Sequence, residues 1–311
     1  MIIKNPYEIP RPAQISFSGG RSSAFMLWNI LKAYEYKLPD DIYVIFANTG
    51  KENEETLKFI KDVEDNWGVN IHWIEFDVNL NKPLSKKRTD DMFWKEVNFD
   101  TASRDGEPFE KLIDYHKARR LQFSDMMYNQ DNLKFVNEGQ GFLPNPTARF
   151  CTDLLKIQGV RNFMIKKNVK SYTHVLGLRY DEPRRVASIK KKGTRKVEIS
   201  TPMNDAKHTK EDIFKFWNDY WFDLDLPNIN GETPHGNCDL CFLKGRKKTE
   251  SLIREKPEKA DWWIRMEEKN KNVFRRDRPS YKKLKEIIEI SPMLFDDEND
   301  DGDLGDCFCT D

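Results

Sequence analysis

Three short segments hold residues whose types and spacing could do chemistry. Residues 16–24 read Ser-Phe-Ser-Gly-Gly-Arg-Ser-Ser-Ala. Gly19 and Gly20 permit a tight turn that exposes successive backbone N–H groups. Ser18, Ser22 and Ser23 add hydroxyl donors and Arg21 a positive charge, so the run from Ser16 to Ser23 has the groups to cradle a phosphate or pyrophosphate. The plainer alternative is a glycine-rich turn between two elements. The second segment is Asn-Cys-Asp-Leu-Cys at 237–241, a Cys-x-x-Cys pair able to grip one metal ion or one face of a cluster. The third is Gly-Leu-Arg-Tyr-Asp-Glu-Pro-Arg-Arg at 177–185. Its Arg179 could hold a phosphate by a two-pronged hydrogen bond, and Arg184 with Arg185 a second anionic group. The alternative for these arginines is ion pairing with Asp181 and Glu182.

The elements that would position these groups follow a repeating pattern. Residues 13–17 form a short, partly apolar strand that runs into the Ser/Gly turn, and Ala24, Leu27, Trp28 and Leu31 then recur on one helical face. Residues 42–47, Ile-Tyr-Val-Ile-Phe-Ala, are a continuous apolar run of the kind found in strands buried on both faces. Asn48, Thr49 and Gly50 close it. A second helix opens near Asn53, with Leu57, Ile60 and Val63 at helical spacing, and residues 70–76 read as the next strand. This β-α-β-α-β order predicts an α/β fold with a doubly wound parallel sheet. The turn then lies at a helix N-terminus, where the helix dipole also favours an anion. Farther on, helices are expected near 109–129, after Cys151 and over 209–222, and a strand at 173–178. The Gly/Pro stretch at 139–146 is a break. Composition shifts to Gly, Cys and basic residues after Pro227, and the expected division is a nucleotide-binding domain over 1–200 and a smaller cysteine-containing C-terminal module with an acidic tail over 201–311.

In this order the segments resemble the PP-loop superfamily, the group of phosphoadenosine phosphosulfate reductases and ATP pyrophosphatases. Ser-Phe-Ser-Gly-Gly-Arg-Ser-Ser-Ala is similar to its phosphate loop and Ala-Asn-Thr-Gly-Lys-Glu-Asn-Glu-Glu-Thr (47–56) to its second-strand motif. Residues 148–156, 177–185 and 200–216 resemble its Arg-x-Cys, Gly-x-Arg and Pro-Leu segments, so the resemblance spans roughly 13–245. It implies an adenine nucleotide α-hydrolase-like fold with adenine beside Asn48, Thr49 and Gly50. Gly177 and Arg179 would share the crevice at the carboxyl ends of the strands, and Lys156 would be a further active-site cation. The chemistry implied is attack on the α-phosphorus of ATP or a related adenosine nucleotide with loss of pyrophosphate, Mg2+ arriving with the nucleotide. Ser22 stands where many members have Asp, Pro183 where many have Ser, and Lys207–His208 where a Trp is usual. The reductases' C-terminal Glu-Cys-Gly segment is absent, which argues against ordinary sulfate-assimilating activity.

Five cysteines, an odd count, favour metal or redox chemistry over disulfides. Cys151, Cys238 and Cys241 resemble the ligands of cluster-binding members that act on tRNA and other substrates. That implies a 4Fe–4S cluster completed by Cys307 or Cys309. A structural Zn2+ site of Cys238, Cys241, Cys307 and Cys309 is the alternative. His235 is a further candidate ligand, against a solvated loop histidine.

Net charge is zero, but residues 296–311 hold eight acids and no Lys or Arg, which leaves the other 295 residues at +8. A basic body attracts polyanions. Trp262 and Trp263, with the run Phe274–Arg278, could stack on and pair with nucleic acid, or be core residues beside a charged face. Two functions therefore compete: an adenosine-nucleotide enzyme of adenylation, sulfur transfer or reduction, with tRNA or DNA as a candidate acceptor, and a nucleic-acid-binding protein with a regulatory or inactive nucleotide site. Apolar residues are 38% of the chain, no run is long enough to span a bilayer, and the first twelve residues have no apolar core. A cytoplasmic protein without membrane contact is expected.

Overall fold

A computed structural model describes residues 5–123, 141–229, 233–236 and 238–290. Its centre is a six-stranded sheet: β1 (Ala13–Ser16), β2 (Ile42–Asn48), β3 (Ile71–Val78), β4 (Met92–Val97), β5 (Tyr172–Val175) and β6 (Val197–Ser200), in the order β4-β3-β2-β1-β5-β6. All neighbours are parallel except β3 and β4. The expected doubly wound parallel sheet is present, with β4 as an antiparallel edge. That strand was missed because its residues Phe93 and Glu96 face solvent and break the apolar run that marks a buried strand.

Helices cover both faces, as parallel strands require. On one face α1 (Arg21–Ala33) and α2 (Glu54–Trp67) pack with β1–β3 in the largest core cluster. Phe46 and Trp73 meet edge to face there at 5.0 Å. Each such buried aromatic contributes about 1.5–3 kcal/mol through burial. The same cluster takes Met203, Ile213, Trp217, Leu224 and Leu226 from beyond residue 200. Ile213 and Trp217 come from a helix at Lys210–Asp219, opened by a reciprocal cap between Thr209 and Asp212.

On the opposite face a π-helical turn at Thr152–Ile157 leads into a helix, α3 here, at Gln158–Lys166. Val160, Phe163 and Met164 of α3 bury Ile45 and Ile74. A helix at Glu107–Gln122 packs along β3. The part of the expected 109–129 helix after residue 123 lies outside the described residues, as do residues 139–140 of the Gly/Pro stretch.

The C-terminal helices Arg246–Glu255, Ala260–Asn270 and Tyr281–Ile290 share a second cluster with the Glu107–Gln122 helix. Trp263 and Phe274 are fully buried in it and Trp262 nearly so. All three are core residues and offer no stacking platform. Among the described residues no helix is long and apolar enough to cross a membrane.

Candidate nucleotide crevice

The turn from β1 into α1 is organised by its own serines. Ser18 and Ser23 hydroxyls lie 3.0 Å apart, Ser23 also donates to the Gly20 carbonyl at 2.9 Å, and the Ser18 N–H donates to the Ser23 oxygen at 3.3 Å. Gly19 has φ +76°, and a Cβ there would come within 2.7 Å of Thr56 and 2.8 Å of Ile60 on α2. It is therefore the glycine that both the turn and the packing demand. Gly20, with φ −97° and ψ 162°, caps α1 in an extended conformation open to any residue. The first turn of α1 is Arg21, Ser22 and Ser23, without an acidic side chain, so the positive end of the helix is not neutralised from within.

Arg21 does not supply that turn with free charge. It is buried, and its guanidinium meets Asp223 twice (2.7 and 2.5 Å), Thr233 Oγ1 (2.8 Å) and the Leu226 carbonyl (2.8 Å). It ties the segment after the Lys210–Asp219 helix to the start of α1.

Beside the turn a crevice opens at the carboxyl ends of β1, β2 and β5. Ser16, Ser18, Lys156 and His174 supply its polar lining, and Phe17, Ile45, Phe46 and Val160 its apolar walls. Across the sheet Gln14 is paired with His174. The Gln14 amide donates to Ser16 Oγ at 3.2 Å, and that hydroxyl lies 2.8 Å from His174 Nε2. Burial pushes the His174 imidazole down to about 4, so it is neutral at pH 7, and its tautomer sets whether Nε2 accepts from or donates to the Ser16 hydroxyl. Gln14 and His174 were not expected at the site. The available signal was a histidine inside the otherwise apolar run 173–178, a polar group that a buried strand does not carry without a partner.

The residues closing β2 are turned mostly toward the protein. Asn48 donates to Glu75 (2.7 Å) and the Ser103 carbonyl (2.9 Å) and accepts from the Gly50 N–H (3.1 Å). Glu52 receives the Thr49 N–H at 3.0 Å and its hydroxyl at 2.9 Å. Gly50 has φ +76°, and a Cβ there would meet Ser103 and Gly106 at 2.9–3.0 Å. The close approach is thus to the 103–106 segment. After β5, Gly177 is buried, and the Arg179 Nε donates to Asp181 at 2.9 Å with Glu182 at 3.6 Å. Arg185 pairs with Glu182, while Arg184 is exposed on the first turn of a helix at Pro183–Lys190.

The cysteine pair packs against this end of the sheet. Cys238 Sγ lies 3.5 Å from Thr49 Oγ1, and the Asp239 N–H donates to the Lys51 carbonyl at 2.8 Å. Lys51 and Asp239 form a buried ion pair at 3.0 Å, and the Trp263 indole donates to the same carboxylate at 2.9 Å. Cys238 and Cys241 are buried, Cys151 packs against the same cluster, and none of the three is in a disulfide. Among the described residues no three His, Cys, Asp or Glu side chains are grouped to hold a metal ion. Cys307 and Cys309, the other two cysteines expected as ligands, lie outside the described residues. His235, expected to be solvated if not a ligand, is buried with Nε2 3.0 Å from Glu255.

A crevice at the strand carboxyl ends, beside a Ser-Gly-Gly turn that opens a helix on a mostly parallel sheet, is the arrangement of the PP-loop α/β class. The model of the phosphoadenosine phosphosulfate reductase domain matches residues 12–197, and the chain belongs to that family. It is 28% identical over 234 residues to the uncharacterized nin region protein ORF290 of Escherichia phage lambda, covering 75% of this chain and 67% of that protein. Over 70 residues it is 49% identical to the uncharacterized protein MJ0066 of Methanocaldococcus jannaschii, covering 22% of this chain but only 14% of that relative.

Proposed function

We propose that the protein is an enzyme that binds ATP or a related adenosine nucleotide at the turn 16–23 and transfers its adenylyl group to an acceptor with release of pyrophosphate. The observation that carries this reading is the junction of two unlike environments. A largely apolar crevice, with hydroxyls, a neutral His174 and the cation Lys156 on its lining, suits a planar base. The adjoining turn, with Gly19, Gly20, Ser18, Ser22 and Ser23 at an acid-free helix N-terminus, suits the phosphates. Attack on the α-phosphorus breaks its bond to the bridging oxygen, and the electron pair leaves with pyrophosphate. Charge on that leaving group is what the N–H groups and hydroxyls would stabilise.

Lys156, already in the crevice, is the cation we assign to the phosphates, while Arg179 and Arg184 are assigned to the acceptor side. Arg179 would exchange Asp181 for the ligand. Mg2+ is assigned to the nucleotide it accompanies, bound through the phosphate oxygens. The second stage we assign is sulfur transfer, in which a sulfide-level donor attacks the adenylated carbon of the acceptor and AMP departs with the electron pair of the broken C–O bond. The Cys238 thiol, 3.5 Å from Thr49 Oγ1, is the observation that favours sulfur chemistry here. Whether the thiols carry a 4Fe–4S cluster, zinc or neither is decided by iron, sulfide and zinc analysis after anaerobic purification.

The test is Gly20→Val. Its extended backbone accepts valine, so the fold is expected to persist, while the side chain intrudes on the approach to the turn. The expected result is loss of ATP binding by calorimetry and of pyrophosphate release, at an unchanged thermal melt. Unchanged affinity would remove the turn from the site.

A further inference from the structure

The helix α3 makes its main sheet contacts with β2, β3 and β4. Register places Tyr172 opposite Val197 and His174 opposite Ile199, so these four residues share one face of the sheet, on which the buried Tyr172 packs in one cluster with Val160, Phe163 and Met164 of α3. A groove runs over that face. Tyr172, Val197 and Ile199 form its floor, and Ile165 and Val169 continue the apolar surface along one wall. Its rims are cationic. Arg161 and Lys170 stand on the α3 side and Lys192 and Lys196 on the opposite side, where Thr194 and Val197 close a turn through mutual backbone hydrogen bonds at 2.8 and 3.3 Å. Among the described residues that line the groove, none is acidic. Ile157, Val160 and His174 line both the groove and the nucleotide crevice, so the two are continuous.

We infer that this groove binds a single-stranded nucleic acid, which presents the acceptor to the crevice. Cations on both rims with an apolar floor between them match a strand whose phosphates face outward and whose bases lie against the floor. A duplex would offer phosphates to the rims but leave the floor uncovered, since its bases are stacked inside. Lys191 and Arg195 in the same segment add to the field, Lys190 being paired with Asp205 at 3.3 Å, and the chain outside residues 296–311 carries +8. The acceptor role rests on the proposed function, whereas strand binding does not.

The experiment uses the full chain and fluorescence anisotropy with labelled oligothymidylate, oligouridylate and a duplex control, each at several salt concentrations. Wild-type protein is expected to bind single strands more tightly than duplex, and the two single-stranded probes separate a DNA strand from an RNA strand. Arg161→Gln, Lys170→Gln and Lys196→Gln together should weaken binding by about tenfold or more and make the salt dependence shallower by about 2 in log–log slope, at ~0.7 per phosphate contact. All three side chains are exposed, so the melt should not move. ATP affinity should also be unchanged, while Gly20→Val should keep the strand and lose the nucleotide, so each assignment can fail alone. Equal strand affinity in the triple variant, or a preference for duplex, overturns the groove. Failure of the full chain to bind either strand also overturns it.

Discussion

The crevice at Ser16 and the knuckle at Cys238 lie at the same end of the sheet, yet they treat polar groups in opposite ways. In the crevice the contacts are neutral: Gln14 to Ser16, Ser16 to His174, Ser18 to Ser23. Each is a hydrogen bond between uncharged groups that a ligand could replace at little net cost, because a typical exchange is worth about 1 kcal/mol. In the knuckle the groups are charged, buried and mutually satisfied. Lys51 meets Asp239, which also accepts from Trp263, and Lys244 donates to the Pro234 carbonyl at 3.2 Å and to the Gly236 carbonyl. Breaking such a set strands a charge in the interior. The contrast teaches that adaptable neutral contacts mark the region read as a ligand site, and paired charges mark the region that docks the C-terminal helices onto the nucleotide end.

Substitutions can break that comparison in order of expected size. Asp239→Ala leaves Lys51 buried without its carboxylate and the Trp263 N–H without its acceptor. It should cost about 3–5 kcal/mol in denaturant unfolding. A loss under 1 kcal/mol would mean that the knuckle is solvated and the contrast false.

Arg21→Ala comes next. It removes a partly screened clamp to Asp223, Thr233 and Leu226 and should destabilise by about 2–3 kcal/mol. Because the guanidinium is committed to those partners, ATP affinity of the folded variant should change little. A tenfold weaker affinity at full folding would return Arg21 to the phosphate site.

The smallest effect is a pH dependence inside the crevice. His174 is depressed to about 4 by burial, against 6.5 for the ordinary side chain. Between these values the unfolded chain binds the proton that the folded one refuses, so stability is full above pH 6.5 and declines as pH falls toward 4. The loss attributable to His174 should be about 1–2 kcal/mol by roughly pH 5. His174→Asn should flatten this part of the melt-versus-pH curve. An identical curve would show that water reaches the imidazole and that the crevice is more open than its apolar walls imply.

Much of this molecule was legible along the chain because the signals are local. A continuous apolar run such as 42–47, short, rich in β-branched and aromatic residues and closed by Asn-Thr-Gly, reads as a strand buried on both faces, and a Ser-Gly-Gly turn before a 3.6-residue periodicity reads as the opening of a helix. From these came the parallel α/β order and the place of the turn, whereas Lys156 was singled out only by the family resemblance. What the sequence could not decide was where charge and polarity point once distant segments meet. Arg21 reads as a phosphate ligand beside two glycines, but its guanidinium lies with Asp223, about 200 residues away in sequence. Trp262 and Trp263 read equally as a stacking surface or a core until the Glu107–Gln122 helix is laid against them. His174 becomes conspicuous only when β5 pairs with β1 and sets it beside Gln14 and Ser16. Side-chain type and spacing specify what an element is, whereas long-range pairing, governed by burial and by the need to satisfy each buried charge, decides which of its groups remain available for chemistry.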